Sequence, residues 1–200
     1  MSEILGPQKL GPLTPLVGYW EGDVGVDVSY RHIDDETTTT SYFETAWFTP
    51  IPTQQNGEQF LEGLKFGMTA WRHGEEAMTP FHDEVGYLLW DDANGQVMRN
   101  VVFGRGIAIL AGGTAKRRDK ELSFKAVPGD PNYGILQNKY LSQKAELIDF
   151  EGTFTFGDDG SFSYDQTLIL DIEAIGGKMN HTDRNTLHRV KRISQSVKDA

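Results

Sequence analysis

The sequence has 200 residues with 38% hydrophobic and 11% aromatic content, which predicts one globular domain with a sizeable core. Its formal net charge is −10 and its pI is about 4.9, so a phosphate backbone would repel it and nucleic acid is not an expected partner. The sequence contains no cysteine, which excludes disulfides, thiolate metal sites and cysteine nucleophiles.

The N-terminal segment is rich in residues that interrupt regular structure, namely Gly6, Pro7, Pro12 and Pro15. Residues 1–15 are therefore expected to form an irregular arm that leads into the fold or covers one end of it. No basic start followed by an apolar region marks a secretory signal, and no apolar run approaches the roughly 18 residues of a membrane span. We expect a cytoplasmic protein without membrane contact.

The remainder of the chain consists of strand-like runs separated by turn signals. In chain order they are LVGYWEGDVGVDVSY, TTTTSYFETAWFTP, EQFLEGLKFGMTAWRH, FHDEVGYLLWD, GQVMRNVVF, GIAILAGGTA, KELSFKAV, KAELIDFEGTFTF, SFSYDQTLILDIEA and RNTLHRVKRI. Asp and Asn beside Gly predict hairpin turns at Asp91–Gly95 and Gly157–Gly160. The longest irregular stretch, Pro128–Gln143, leaves room for a short helix.

Strict alternation is plainest in SFSYDQTLILDI, where one face carries Phe162, Tyr164, Gln166, Leu168, Leu170 and Ile172. About ten short antiparallel strands in one domain, residues 16–195, predict an all-β fold, because closure into an up-and-down barrel removes exposed edges. Such a barrel is wide enough to enclose a ligand cavity. A β-sandwich is the alternative that the pattern allows.

Three motifs stand out along these strands. GYWEG, with Gly18, Trp20 and Gly22, opens the first long strand. PFHDEVGYLLW follows, and its alternation places His82 and Glu84 on one face together with Gly86 and Leu88. NHTDRNTLHRV closes the last strand.

These motifs resemble those of the nitrobindin-type heme-binding β-barrels, the calycin-like domain also found fused to THAP-type proteins and related to fatty-acid-binding proteins. The resemblance runs from about Leu16 to Val190. GYWEGDVG is similar to the family's G-x-W-x-G-x-G, with Val24 in place of the third Gly. PFHDEVGY is similar to P-M-H-x-E-x-G-[FY]. The closing strand departs from the family: Asn180 replaces a Pro, and one extra residue separates His181 from Leu187, which indicates a divergent bacterial branch.

The resemblance implies a function as well as a fold. It implies that heme b is bound, with His181 as the single axial ligand of the iron. It also implies chemistry with reactive nitrogen species, either nitric oxide binding or isomerisation of peroxynitrite to nitrate. A basic residue on the last strand, here Arg189, stacks on the first-strand Trp in calycin-type barrels, and we assign Arg189 and the GYWEG residues a structural role.

Two alternatives remain open. His181 could instead be a polar residue at the barrel mouth that bonds to Asp183 or Asn185. The barrel could also be a non-heme carrier of a small apolar ligand such as a fatty acid, with Arg105 meeting its carboxylate.

The pocket is expected to contain a hydrogen-bonded network of His82, Glu84 and Arg105, with apolar contacts from Phe66, Met68, Trp71 and Leu89. His32 and His73 lie beside charges and are expected at the surface, and His188 faces either inward or outward. The sequence leaves a homodimer open.

Overall fold

A computed structural model describes residues 10–75 and 79–190, which form an antiparallel β-barrel with short hairpin connections. The strands in chain order are β1 Gly18–Arg31, β2 Glu36–Pro50, β3 Gln54–Asn56, β4 Gln59–Arg72, β5 His82–Asp91, β6 Gln96–Phe103, β7 Ile107–Thr114, β8 Glu121–Ala126, β9 Ile135–Gln137, β10 Ala145–Phe156, β11 Phe162–Ile172 and β12 Gly177–Val190.

Ten of these strands form the closed ring. Each pairs with the next in the order β1, β2, β4, β5, β6, β7, β8, β10, β11 and β12, and β12 returns to pair with β1. Two three-residue strands lie outside the ring, β3 beside β4 and β9 beside β7. The predicted ten-stranded up-and-down barrel is therefore confirmed, and the sandwich alternative is not.

Helical structure is sparse. The described residues include one α-helix, α1 at Leu141–Lys144, and 3₁₀ turns at Gly11–Leu16 and Glu173–Ile175. The stretch Pro128–Gln143, predicted to be irregular with room for a short helix, contains strand β9 and most of helix α1. Among the described residues, none of the helices has the length and hydropathy needed to span a bilayer.

The core lies inside the barrel because side chains alternate between the two faces of each strand. On β11 the inward face carries the six residues predicted from the sequence. Aromatic rings fill the interior, with Phe162 packing edge-on against Trp20, Phe48 and Phe154 at centroid separations of 5.0–5.9 Å. Such aromatic pairs add to the stability that burial alone supplies.

One end of the barrel is sealed by the N-terminal segment. Leu10, Leu13 and Leu16 are each at most 1% exposed, so this segment, which includes the 3₁₀ turn at Gly11–Leu16, packs against the core at that end. The indole Nε1 of Trp20 donates to the Leu16 carbonyl oxygen at 2.7 Å, and the Arg189 guanidinium lies 4.5 Å from the Trp20 ring centroid. Residues 1–9 of the predicted arm and 191–195 of the predicted domain lie outside the described residues.

Candidate functional site

The open end of the barrel owes its chemistry to an irregularity in β1. Gly22 pairs with Glu44 and Gly25 pairs with Tyr42. Two residues of β1 lie between these pairs but only one residue of β2, so β1 has one extra residue there. This β-bulge reverses the alternation of the strand, since even-numbered residues point inward before it and odd-numbered residues after it. Asp27 consequently points into the barrel and is 6% exposed.

Asp27 meets His181 across the β1–β12 pair. The carboxylate Oδ2 lies 2.5 Å from His181 Nε2, and Ser29 Oγ donates to the other oxygen at 2.5 Å. The His181 side chain is 27% exposed, so the imidazole lies at the mouth of the barrel, and its contact with the more buried Asp27 holds it there. Burial alone would raise the pKa of Asp27, but His181, through its hydrogen bond and charge, together with Ser29 and His82, outweighs burial, so the pKa is lowered.

Below the mouth, nine side chains enclose a small, almost completely filled space. Its walls combine three carboxyl groups with a guanidinium, an imidazole, a phenol, an amide and two apolar side chains: Glu44, Glu84, Asp183, Arg99, His82, Tyr164, Gln166, Met68 and Phe154. Ligand pockets usually measure about 300–1,000 Å³, whereas this space leaves no room even for a water-sized molecule. The interior is better described as a packed polar network.

The first part of this network is a buried ion pair. Arg99 Nη2 donates to Glu84 Oε1 at 2.7 Å, and Arg99 Nη1 donates to Gln166 Oε1 at 3.0 Å, with Arg99 and Glu84 both 2% exposed. Burial alone would raise the pKa of Glu84, but the charges and hydrogen bonds of Arg99 and His82 together outweigh burial, so the pKa is lowered. The second Glu84 oxygen lies 3.4 Å from His82 Nε2.

The second part joins two carboxyl groups through two phenols. Tyr164 Oη lies 2.9 Å from Glu44 Oε2 and 2.6 Å from Tyr42 Oη, which in turn lies 2.5 Å from Asp183 Oδ1. Burial, with repulsion from Asp183, raises the pKa of Glu44 from its ordinary 4.5 to about 8. Burial likewise raises the pKa of Asp183 and of both tyrosines.

The residues predicted for the pocket divide into two groups. His82 and Glu84 share the inward face of β5 and contact each other, and Phe66 and Met68 point inward from β4. Trp71 was expected in the pocket, but it lies on the outward face of β4 and packs against Phe43.

Two further pocket expectations are corrected. Leu89 has the opposite parity to Leu88, so it points away from the interior. Arg105 was expected to pair with His82 and Glu84, but it lies in the exposed turn between β6 and β7, and the cation that contacts Glu84 is Arg99.

The other histidines lie at the surface. His32 is exposed in the turn after β1, and the exposed His73 contacts the Asp23 carbonyl oxygen through Nε2 at 3.0 Å. His188 points outward from β12. Neither Asp183 nor Asn185 is the contact that the structure shows for His181; Asp27 takes that place.

Most of the network was missed from the sequence although a signal was present. In QVMRNVVF the inward positions are Val97, Arg99, Val101 and Phe103, so one charge interrupts an otherwise apolar face. Glu44 interrupts the inward face of β2 in the same way. A charge on the apolar face of a strand requires a buried partner, and this rule would have selected both residues.

Comparison with known proteins agrees with this architecture. The chain is similar to Rv2717c from M. tuberculosis, whose crystal structure aligns with a TM-score of 0.63 at 20% identity over 94% of this chain and 100% of that chain. A search of curated proteins found no match. The profile described as "THAP4-like, heme-binding beta-barrel domain" matches residues 9–189, nearly the whole chain. The chain therefore belongs to the THAP4-like family of heme-binding β-barrel domains.

Proposed function

We propose that this barrel binds heme at its open mouth, with His181 as the axial ligand of the iron. The observation that carries the proposal is the Asp27–His181 pair. Histidines that bind metals commonly give their second ring nitrogen to a carboxylate, which fixes the orientation and basicity of the ring. Asp27 engages Nε2, so Nδ1 is the candidate donor to iron.

The surroundings of His181 are compatible with a flat apolar group. Leu168 lies directly opposite His181 in the β11–β12 register, and Met179 shares the inward face of β12. The space inside the network is almost completely filled and its walls are too polar for a macrocycle, so heme would lie above the network and not within it. The network then forms the floor of the site.

We further propose that the heme-loaded protein reacts with reactive nitrogen species. Bound heme would supply iron chemistry toward nitric oxide or peroxynitrite, including isomerisation of peroxynitrite to nitrate. The sequence resemblance supports this activity, and a single histidine ligand is compatible with it. The chain itself would orient the imidazole through Asp27 and limit water around the ligand through apolar neighbours such as Leu168.

A hemin titration of the purified protein tests the heme proposal. We expect a saturable, shifted Soret band for the wild type and loss of that saturable shift in His181→Ala. Asp27→Asn should weaken hemin affinity by about 10–100-fold, because the carboxylate that holds the His181 ring is replaced by an amide. His188→Ala is the matched control on the same strand and should bind as the wild type does.

The outcomes separate the levels of the proposal. Saturable binding in the wild type that survives in His181→Ala would contradict the assignment of His181 as ligand. Absence of saturable binding in the wild type would contradict heme binding by this chain. Peroxynitrite decay and nitrate yield are measured on the loaded protein only after the first result is positive.

The carrier alternative has less support. A fatty acid needs an apolar cavity with a free buried cation, whereas the interior is small and Arg99 is paired with Glu84. Displacement of an environment-sensitive fluorescent fatty acid would favour the carrier, provided that hemin does not compete.

We also propose that two copies associate through the outer face of the sheet. Val85 and Val102 are paired in register and are 47% and 52% exposed, and Leu136 on β9 is 75% exposed. Lys65 on β4 and Asp83 on β5 lie on opposite sides of the paired residues Gly67 and Val85. A two-fold axis that passes between this pair, in the plane of the interface and roughly across the strands, would therefore set Lys65 of each copy over Asp83 of the other. Charge complementarity of this kind favours a second copy as the occupant.

Sedimentation velocity tests this association. We expect a concentration-dependent dimer that is weakened by Val102→Glu and unaffected by Val24→Glu, a control at another exposed valine. Lys65→Asp and Asp83→Lys should each weaken the dimer, and the double variant should restore it. A wild-type monomer at all concentrations would refute the proposal.

A further inference from the structure

The four oxygens that join Glu44 to Asp183 form one continuous row. The three gaps along it are 2.9 Å from Glu44 to Tyr164, 2.6 Å from Tyr164 to Tyr42 and 2.5 Å from Tyr42 to Asp183. All three are within hydrogen-bonding distance, and each therefore requires one proton between its two oxygens. Tyr42, Tyr164 and Glu44 are at most 5% exposed, so bulk water does not separate them.

The two phenols supply only two of these three protons. If both carboxyl groups were ionised, Tyr164 would donate to Glu44 and Tyr42 would donate to Asp183. The two phenol oxygens would then face each other at 2.6 Å with no proton between them, which is repulsive. The Arg184 carbonyl oxygen, 3.4 Å from Tyr42 Oη, is a further acceptor and supplies no proton. The third proton must therefore be carried by one of the carboxyl groups.

The surroundings decide between the two carboxyl groups. Asp183 accepts from Gln166 Nε2 at 3.1 Å as well as from Tyr42; the charge of Asp27 disfavours its ionised form, whereas the charges of His82 and His181 favour it. Glu44 is 2% exposed and accepts from Asn185 Nδ2 at 3.1 Å, and Arg99 is already engaged by Glu84. Negative charge is thus better compensated on Asp183 than on Glu44.

We propose that Glu44 is a neutral carboxylic acid in the folded barrel at neutral pH, and that its proton orients the Tyr164–Tyr42–Asp183 row as a pH-sensitive switch. While Glu44 carries the proton, Glu44 donates to Tyr164, Tyr164 donates to Tyr42, and Tyr42 donates to Asp183. Ionisation of Glu44 reverses the Tyr164 hydroxyl and breaks its hydrogen bond with Tyr42. The inference does not depend on heme, so it can fail or succeed separately from the proposed function.

The charges around Glu44 agree with this assignment. Asp183 on β12 and Glu84 on β5 both disfavour a negative Glu44, whereas Tyr164 on β11 and Asn185 on β12 favour it through hydrogen bonds. His82 on β5 and Arg99 on β6 also line the cavity that Glu44 faces. Burial dominates the balance and raises the pKa of Glu44 to about 8.

The sign of the pH dependence follows from this raised pKa. Between about pH 5 and pH 8 the folded state holds a proton on Glu44 that the unfolded state has lost. The stabilisation is fully present below the ordinary pKa of 4.5 and is lost as the pH rises through about 8. One proton corresponds to a change of about tenfold per pH unit in the unfolding equilibrium constant.

Urea unfolding of the wild type and Glu44→Gln at several pH values tests the switch. The glutamine amide can donate to Tyr164 as the carboxylic acid does, but it does not titrate. We expect the ratio of the two unfolding constants, wild type over variant, to rise about tenfold per pH unit from about pH 5 to pH 8 and then to level off. Glu121→Gln, at an exposed position of β8, is the control and should give a ratio independent of pH. A flat ratio for Glu44→Gln would overturn the proposal.

Infrared spectroscopy of the wild type gives a second, independent measurement that does not require a variant to fold. The spectrum near neutral pH should contain the carbonyl stretch of a protonated carboxylic acid, and this band should disappear at alkaline pH with a midpoint near 8. Labelling the glutamate side chains with ¹³C should shift the band. A band that does not shift would place the proton on an aspartate, and the absence of any such band would show both groups ionised; either result contradicts the assignment to Glu44.

Discussion

Arg99 compensates the buried negative charge of Glu84 inside the barrel. Its guanidinium contacts Glu84 and Gln166, and it lies 5.2 Å from the ring centroid of Phe154 and 5.7 Å from that of Phe150. The aromatic faces and the carboxylate together offset the cost of removing the guanidinium from water. Removal of this one side chain leaves Glu84 as a buried charge without its cation.

Arg99→Met is therefore expected to destabilise the protein by about 3–5 kcal/mol in urea unfolding at neutral pH. The double variant Arg99→Met/Glu84→Leu removes both charges and should recover most of that loss, because apolar replacement of a buried pair is often neutral or stabilising. A double variant no more stable than Arg99→Met would show that the network, and not the unpaired carboxylate, determines the cost.

The pH dependence of the same variant has a defined sign. In the wild type the lowered pKa of Glu84 gives stability that is present above its ordinary pKa of 4.5 and is lost as the pH falls through the folded value. Without Arg99 the burial of Glu84 is uncompensated and its pKa should rise above 4.5. Arg99→Met should thus lose stability as the pH rises, the reverse of this contribution in the wild type.

At the scale of the strand, the bulge in β1 decides which chemistry enters the barrel. Alternation continued from Trp20 without the bulge would turn Asp27 outward, and His181 would face the mouth without its carboxylate. The bulge also brings Gly25 against the Tyr42 ring, where an added Cβ would lie 2.3 Å from a ring carbon. Glycine at this position is required by the close approach of a side chain that belongs to the Glu44–Asp183 row.

Gly25→Ala is expected to displace the Tyr42 ring and to destabilise the barrel by about 1–3 kcal/mol, as overpacking does in tightly filled cores. Gly177→Ala is the control, since nothing lies within 4 Å of an added Cβ there. Thermal unfolding of the two variants checks this expectation. Equal melting temperatures for both would contradict the close packing of Gly25 on Tyr42.

For the whole molecule, the parts predictable from the sequence are those set by local patterns. Alternation and turn residues predicted the strands and the hairpin at Asp91–Gly95, because each depends on neighbours along the chain. The ten-stranded closure followed from the number of strands, because closure removes exposed edges. The partner of Glu84 was wrong because it depends on register across strands: Arg99 lies on the inward face of β6, whereas Arg105 lies beyond the end of that strand. Asp27 was missed because one extra residue in β1 reverses its direction.

The closure of the ring by β1 and β12 also governs how the barrel is made. Trp20 on β1 pairs with Arg189 on β12, so the barrel closes only when these two strands, which are far apart in the chain, form the seam between them. A nascent chain can build hairpins in sequence as it leaves the ribosome, but until its final strand emerges it presents two unpaired edges. Completion of the seam is a contact of very long range, which folds slowly because a large loop must close first. Interrupted synthesis or C-terminal trimming into β12 would therefore yield an open, aggregation-prone sheet and not a slightly shortened barrel.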